Sequence, residues 1–223
     1  MNGTSWKGSG AFSALLFDMD GTLIDSREAV ARTWRHWAAR HGIDFHELLS
    51  AAHGRRTRDT VQMFCPDGVD AEAETLELER RDEVDAEGIV PVKGATKLLR
   101  ALPPDRWAIV TSAGRRLASN RLAAAGLPLP NVLITAESVQ RGKPDPEGYA
   151  LAAQLLGVDV TRCLVFEDAE AGIAAGRATG ATVLAVTDAQ PYHIVSSVPS
   201  IANYEQVQLF SKRRVLWVST RST

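Results

Sequence analysis

Two cysteines, Cys65 and Cys163, are all that 223 residues contain. That is too few for the disulfide framework of a secreted scaffold. Cys163 lies within the apolar stretch Arg162-Cys163-Leu164-Val165-Phe166 and reads as a buried free thiol, which suits a reducing, cytoplasmic setting. Long hydrophobic runs are also missing. No stretch approaches the roughly 20 apolar residues that cross a bilayer, and Met1 to Ser13 carry Gly, Ser, Thr and Lys where an export signal has an apolar centre. Without such a signal the Asn2-Gly3-Thr4 sequon reads as accidental. Nor does charge of one sign dominate. Against 27 acidic side chains stand 25 basic ones, net −2, so neither nucleic acid nor a membrane surface is expected as a partner. Internal repeats and low-complexity runs are absent as well. What is present is 45% hydrophobic content, enough for one large domain or a core with an insert. The expected partner is a small molecule, bound by a monomer or a small homo-oligomer.

Five apolar runs recur along the chain: Ala14–Phe17, Trp107–Val110, Val132–Ile134, Cys163–Phe166 and Val183–Val186. They do not alternate with polar residues, which marks strands covered on both faces. Helical stretches such as Glu147 to Leu156 and Ala169 to Thr179 supply right-handed crossovers between them. The expected class is α/β, with a Rossmann-like doubly wound parallel sheet. From Arg27 to Ile89 the periodicity is helical, with Ala29-Val30, Thr33-Trp34 and Trp37-Ala38 on one stripe and a highly charged helix over Asp70 to Glu87. This predicts an α-helical cap domain over 27–89 inserted into a core domain of 1–26 and 90–223. Ser211 to Thr223 reads equally as a last strand, a docked tail or an expression remnant.

Open parallel sheets bind ligands beyond the carboxyl ends of their strands, and polar residues that directly follow apolar runs are carried there by topology. Asp18, Asp20, Thr111, Ser112, Glu167 and Asp168 all hold such positions. Two carboxylates two residues apart can divide the work of moving a phosphoryl group. Asp18 would attack phosphorus, and Asp20 would protonate the leaving alcohol and later deprotonate water. Attack of an anion on an anion needs positive charge. Mg2+ takes hard oxygen ligands, for which Asp18 and Asp168 are the best side chains, with Glu167 binding directly or through water. Lys143, between Gly142 and Pro144, would be a fixed cation, while Ser112 and the backbone amides beside it, together with those after Asp20, would donate to phosphoryl oxygens.

The four segments Asp18-Met19-Asp20-Gly21-Thr22-Leu23, Thr111-Ser112, Lys143 and Glu167-Asp168 together resemble the motifs of the haloacid dehalogenase-like superfamily, in family order. They are similar to its phosphatase branch, since dehalogenation does not need a second carboxyl at position 20. The resemblance implies Asp18 as nucleophile and Asp20 as acid and base. It implies phosphate contacts from Thr111, Ser112, Ala113 and Lys143, and Mg2+ held by Asp18, Glu167, Asp168 and the carbonyl of Asp20. It also implies a closing helical cap in which His53-Gly54-Arg55-Arg56-Thr57 resembles the loop of the glycerol-phosphate and 2-deoxyglucose-6-phosphate phosphatases. Arg56 would then touch substrate, with His53 and Arg55 behind it. Related beta-phosphoglucomutases carry a histidine where this chain has Val30, which weakens a mutase reading. The expected substrate is a sugar phosphate or polyol phosphate; a mutase, or a non-catalytic binding protein of the same fold, is the alternative.

Overall fold

The computed structural model describes residues 8–189, 198–212 and 215–220; the Asn2 sequon and the last residues of the tail lie outside them. In chain order the elements begin with β1 (Ser9–Phe12), β2 (Ala14–Phe17) and β3 (Ile24–Asp25). Four helices follow, α1 (Arg27–His41), α2 (Phe45–Ala52), α3 (Thr57–Phe64) and α4 (Ala71–Val84). Next come β4 (Val90–Pro91), α5 (Ala95–Ala101), β5 (Trp107–Val110), α6 (Arg115–Ala124), β6 (Val132–Ile134) and α7 (Glu147–Leu155). The chain continues through β7 (Cys163–Glu167), α8 (Glu170–Ala178), β8 (Thr182–Val186), β9 (Ser200–Ile201), β10 (Val207–Lys212) and β11 (Val215–Thr220).

Six strands form the main sheet in the order β6-β5-β2-β7-β8-β9, every pair parallel. The order reverses direction between β2 and β7, and the crevice beyond their carboxyl ends is the topological switch point where such sheets bind ligands. The two strands carry aromatic rings at their carboxyl ends, on the last residue of β2 and the penultimate one of β7: Phe17 stacks on Phe166 with centroids 4.9 Å apart and planes 8° from parallel. Tyr204 packs edge-on against Phe17 at 6.0 Å. These side chains are buried, as the unbroken apolar runs require. One core cluster fills each face of the sheet, with Leu15, Phe17 and Phe166 in one and Leu16, Val165 and Tyr149 in the other.

The helices α1 to α4 leave the sheet through β3 and return through β4, which pair antiparallel as a two-stranded ribbon. They carry their own apolar cluster, centred on Trp34, Trp37, Leu48, Val61 and Leu78. On the charged helix α4 only part of the expected apolar pair is covered, since Leu78 is buried and Leu76 is exposed. Asp44 and Asp70 cap α2 and α4 by accepting from the first free backbone amides.

A second sheet was not foreseen. β1, β11 and β10 form an antiparallel three-stranded sheet in which Leu216 and Val218 face the core while Phe210 and Trp217 face outward. Of the three readings of the tail, a last strand is the one that the described residues follow. Among the described residues no helix is long and apolar enough to cross a membrane.

Because the Phe17–Phe166 stack joins the two strands on either side of the crevice, Phe166→Ala is expected to cost about 3–5 kcal/mol in urea unfolding. A loss below about 1 kcal/mol would mean that the ring does not fasten the strand ends.

Candidate active site

β2 ends at Phe17, so the next residue, Asp18, emerges at the rim of the sheet; β7 delivers Glu167 and Asp168 to the same rim one strand away. Asp18, Glu167 and Asp168 are all buried and bring carboxylate oxygens within 4.8 Å of one another. The loop before α7 swings Lys143 between them. Its Nζ donates to Asp18 Oδ1 at 2.6 Å and to Glu167 Oε1 at 2.6 Å. Burial disfavours the ammonium, but the Asp18 and Glu167 charges outweigh it and hold Lys143 protonated, its pKa raised above the lysine norm. Burial first, and then the neighbouring Glu167 and Asp168 charges, push the Asp18 carboxyl well above the usual carboxylate range, against the pull of Lys143. Three carboxyl groups therefore crowd around a single ammonium.

Glu167 is the most thoroughly bound of the three. Oε1 accepts from Lys143 and from the Tyr149 hydroxyl at 2.8 Å, and Oε2 accepts from the backbone amides of Asp168 and Ala169 at 2.9 and 3.1 Å. With both oxygens used, Glu167 is suited to fixing Lys143 and the start of α8. Asp168 accepts from the Thr22 hydroxyl at 3.2 Å, and His53 Nε2 lies 2.9 Å from its Oδ2. Two glycines make this packing possible. A Cβ on Gly21, where φ is +82°, would stand 1.9 Å from Asp168 Oδ2, and one on Gly172 would stand 1.6 Å from Glu167 Oε1. Glycine at both positions is thus required by the space the carboxylates occupy.

The remaining expected residues are distributed around this centre. Thr111 Oγ1 accepts from the Ala113 amide at 3.0 Å, so the two shape the turn after β5, while the Ser112 hydroxyl donates to the Gly54 carbonyl at 2.9 Å. Arg56 crosses the Gly142 loop, donating to Gln140 O at 3.1 Å and to both oxygens of Asp59. Arg56, Ser112, Arg141, Lys143 and Tyr149 line a cleft beside the carboxylates. Arg55 is half-buried and has no side-chain hydrogen bond among the described residues. The structure thus brings His53 and Arg56 to the rim and leaves Arg55 beside it. Asp20 is half-buried at the same crevice, but its carboxylate stands outside the acidic cluster. Its Oδ1 accepts from the Ser26 hydroxyl at 2.6 Å and from Arg121 Nη1 at 2.7 Å.

Thr22, Ser26, Arg121 and Tyr149 are site residues that motif reading did not single out. Only Tyr149 had a usable signal: a phenol in the first turn of a largely apolar helix, six residues after Lys143.

The arrangement is a cluster of three buried carboxylates bridged by a buried ammonium at the switch point of the sheet. The haloacid dehalogenase-like hydrolase model matches residues 12–180. The chain belongs to that family. Hexitol phosphatase A of Escherichia coli is 45% identical over 175 residues, covering 77% of this chain and 81% of the relative. Glycerol-1-phosphate phosphohydrolase 2 of Saccharomyces cerevisiae is 37% identical over 186 residues, covering 78% and 74%. Among solved structures, a hydrolase from Pseudomonas syringae superposes with a TM-score of 0.72 at 26% identity, over 82% of this chain and 88% of that one. The family and the buried acidic cluster are compatible with a bound metal ion.

Gly172→Ala is expected to displace Glu167 and break a buried, paired carboxylate, at a cost of about 3 kcal/mol or more in urea unfolding. Tyr149→Phe removes one donor of several and is expected to cost less, about 1–2 kcal/mol. Wild-type stability of Gly172→Ala would show that Glu167 does not lie over α8.

Proposed function

We propose that this protein is a magnesium-dependent phosphatase that hydrolyses a small phosphorylated sugar or polyol through an aspartyl-phosphate intermediate. The observation that carries the reading is the position of Lys143 Nζ, 2.6 Å from Asp18 and from Glu167 at the switch point of the sheet. A phosphoryl group placed against Asp18 would meet that ammonium directly. The names of the hexitol and glycerol-phosphate relatives support the substrate class.

The residues present fit a divalent cation. Among the described residues Asp18 Oδ2 is buried without a hydrogen-bond partner, and the donor set is all carboxylate. Asp18, Asp168 and the carbonyl of Asp20 would hold Mg2+, with Glu167 binding it directly or through water. When bound, the ion supplies Lewis acidity at a phosphoryl oxygen and offsets charge on the nucleophile.

The Asp18 carboxylate attacks phosphorus; the ester P–O bond breaks and Asp20 gives its proton to the departing alcohol oxygen. Asp20 then takes a proton from water, whose oxygen attacks phosphorus, freeing Asp18 and inorganic phosphate. Lys143 favours the ionised form of Asp18 and aims it, and Ser112, Thr111 and the amides near Ala113 border the phosphoryl oxygens. The inserted helices, residues 27–89, act as a cap over the core of 1–26 and 90–223. From it Arg56 reaches the cleft to contact the substrate beyond its phosphate, with His53 and Arg55 supporting the loop. The product is an alcohol and phosphate, since Val30 packs half-buried with the Trp34–Trp37 cluster and offers no acid or base for a mutase. The reading places the enzyme in the cytoplasm, where Cys65 and Cys163 stay reduced.

Purified protein is expected to release phosphate from sugar or polyol phosphates with Mg2+, to lose activity in EDTA and to regain it with added Mg2+. Asp18→Asn is expected to abolish turnover, and Asp20→Asn to lower it by about 10²-fold or more. Ordinary hydrolysis by Asp18→Asn, or isomerised sugar phosphate in place of free sugar, would overturn the reading. Arg56→Ala is expected to change the preference among substrates in a phosphate-release screen, and an unchanged preference would remove Arg56 from that role.

A further inference from the structure

Arg121 projects from the core helix α6, its side chain only 4% exposed, and stands between two carboxylates that belong to different parts of the molecule. Nη1 donates to Asp20 of the core at 2.7 Å. Nη2 lies 3.8 Å from Oδ2 of Asp82 on the inserted helix α4, too far for a hydrogen bond. Nη2 and Nε are buried donors with no hydrogen-bond partner. A buried guanidinium that uses one of its donors and leaves two unmatched is costly. It is an arrangement that a small displacement would complete. Asp82 is placed to complete it: it is buried, it accepts a short hydrogen bond from Thr33 on α1, and burial pushes its carboxyl above the usual range against the pull of Arg121. The same seam between α4 and α6 is held at its edge by Asn120 Nδ2 donating to Glu83 O at 2.8 Å and by Arg116 at 3.3 Å from Glu83.

Resting on the function proposed above, we propose that Arg121 is a positioning residue that passes its charge from Asp20 to Asp82 as the inserted helices seat, and so releases the proton carrier toward the substrate. In the arrangement described, Asp20 is held by Arg121 and Ser26, apart from the acidic cluster. Both partners hold Oδ1 and keep the carboxyl outside the acidic cluster; it turns toward the departing alcohol as it gives them up. If Asp20 left without compensation, the guanidinium would lose the one anion it hydrogen-bonds among the described residues, within a buried site. With the 3.8 Å separation closed, Asp82 takes up the unused Nη2 and Nε donors, and the charge of Arg121 stays matched throughout. The proton carrier is thus retained while Asp82 stands 3.8 Å from Arg121 and is freed only when α4 closes that last distance onto α6.

The leaving group provides the test. An alkyl alcohol needs a proton to depart, whereas p-nitrophenolate does not, and kcat/KM reports the steps up to the first departure. Asp82→Asn, which keeps the shape of the side chain and removes its charge, is expected to lower kcat/KM about tenfold for a hexitol phosphate and less than about twofold for p-nitrophenyl phosphate. Arg121→Lys retains a charge for Asp20 but lacks the second edge, and is expected to give the same divergence; it serves where Asp82→Asn lowers folded yield, judged by circular dichroism. Equal losses on the two substrates, or none on either, would overturn the proposal. Wild-type protein that releases phosphate from neither ester would instead overturn the phosphatase reading itself.

Discussion

The Lys143 ammonium, seated between Asp18 and Glu167, is the contact on which the site depends. Three carboxylates buried at one rim repel one another, and each would take a proton or draw in water if nothing opposed it. Lys143 opposes it from a loop 125 residues away from Asp18. A buried charge pair of this kind is worth little as net stability but is expensive to break, about 3–5 kcal/mol when one partner is removed. Much of the surrounding structure serves it. Tyr149 and two backbone amides saturate Glu167, Gly172 clears the space, and the Phe17–Phe166 stack sets the two strand ends at a fixed separation.

The inserted helices meet the core through polar groups. His53 reaches Asp168, Gly54 accepts from Ser112, Arg56 reaches Gln140, and the α4–α6 seam carries Glu83 and Asp82. Their apolar residues are spent internally, on Trp34, Trp37, Leu48, Val61 and Leu78. A unit with its own core and a polar interface can shift without exposing much apolar surface, and its contacts end directly on groups at the site. The placement of the inserted helices is therefore coupled directly to the groups around the acidic cluster.

What was legible in the sequence follows from physical redundancy. Ala14–Phe17 and Trp107–Val110 are apolar at every position, so strand assignment and burial agree, and the polar residue after each is forced to the rim. Glu167 was singled out because it directly follows an apolar run, and Lys143 because its loop between Gly142 and Pro144 matches the third family motif. Arg121 was not, because an arginine in a helix is ordinary and its partner Asp20 is 101 residues distant. Thr22 looked like part of a turn, although its hydroxyl is given to Asp168. The antiparallel sheet escaped for the opposite reason: Ser9-Gly10-Ala11-Phe12 has weak strand preference on its own and becomes a strand only by pairing with residues 216–219.

That pairing has a consequence for how the polypeptide acquires its shape. β1 adjoins β2, the central strand of the main sheet, yet its only strand neighbour among the described residues is β11. During synthesis the emerging segment at Ser9–Phe12 has no hydrogen-bonding mate until residues 216–219 have left the ribosome. The carboxylates of the crevice all precede Ala169 in the chain, but the edge beside them stays unzipped until residues 216–219 are made.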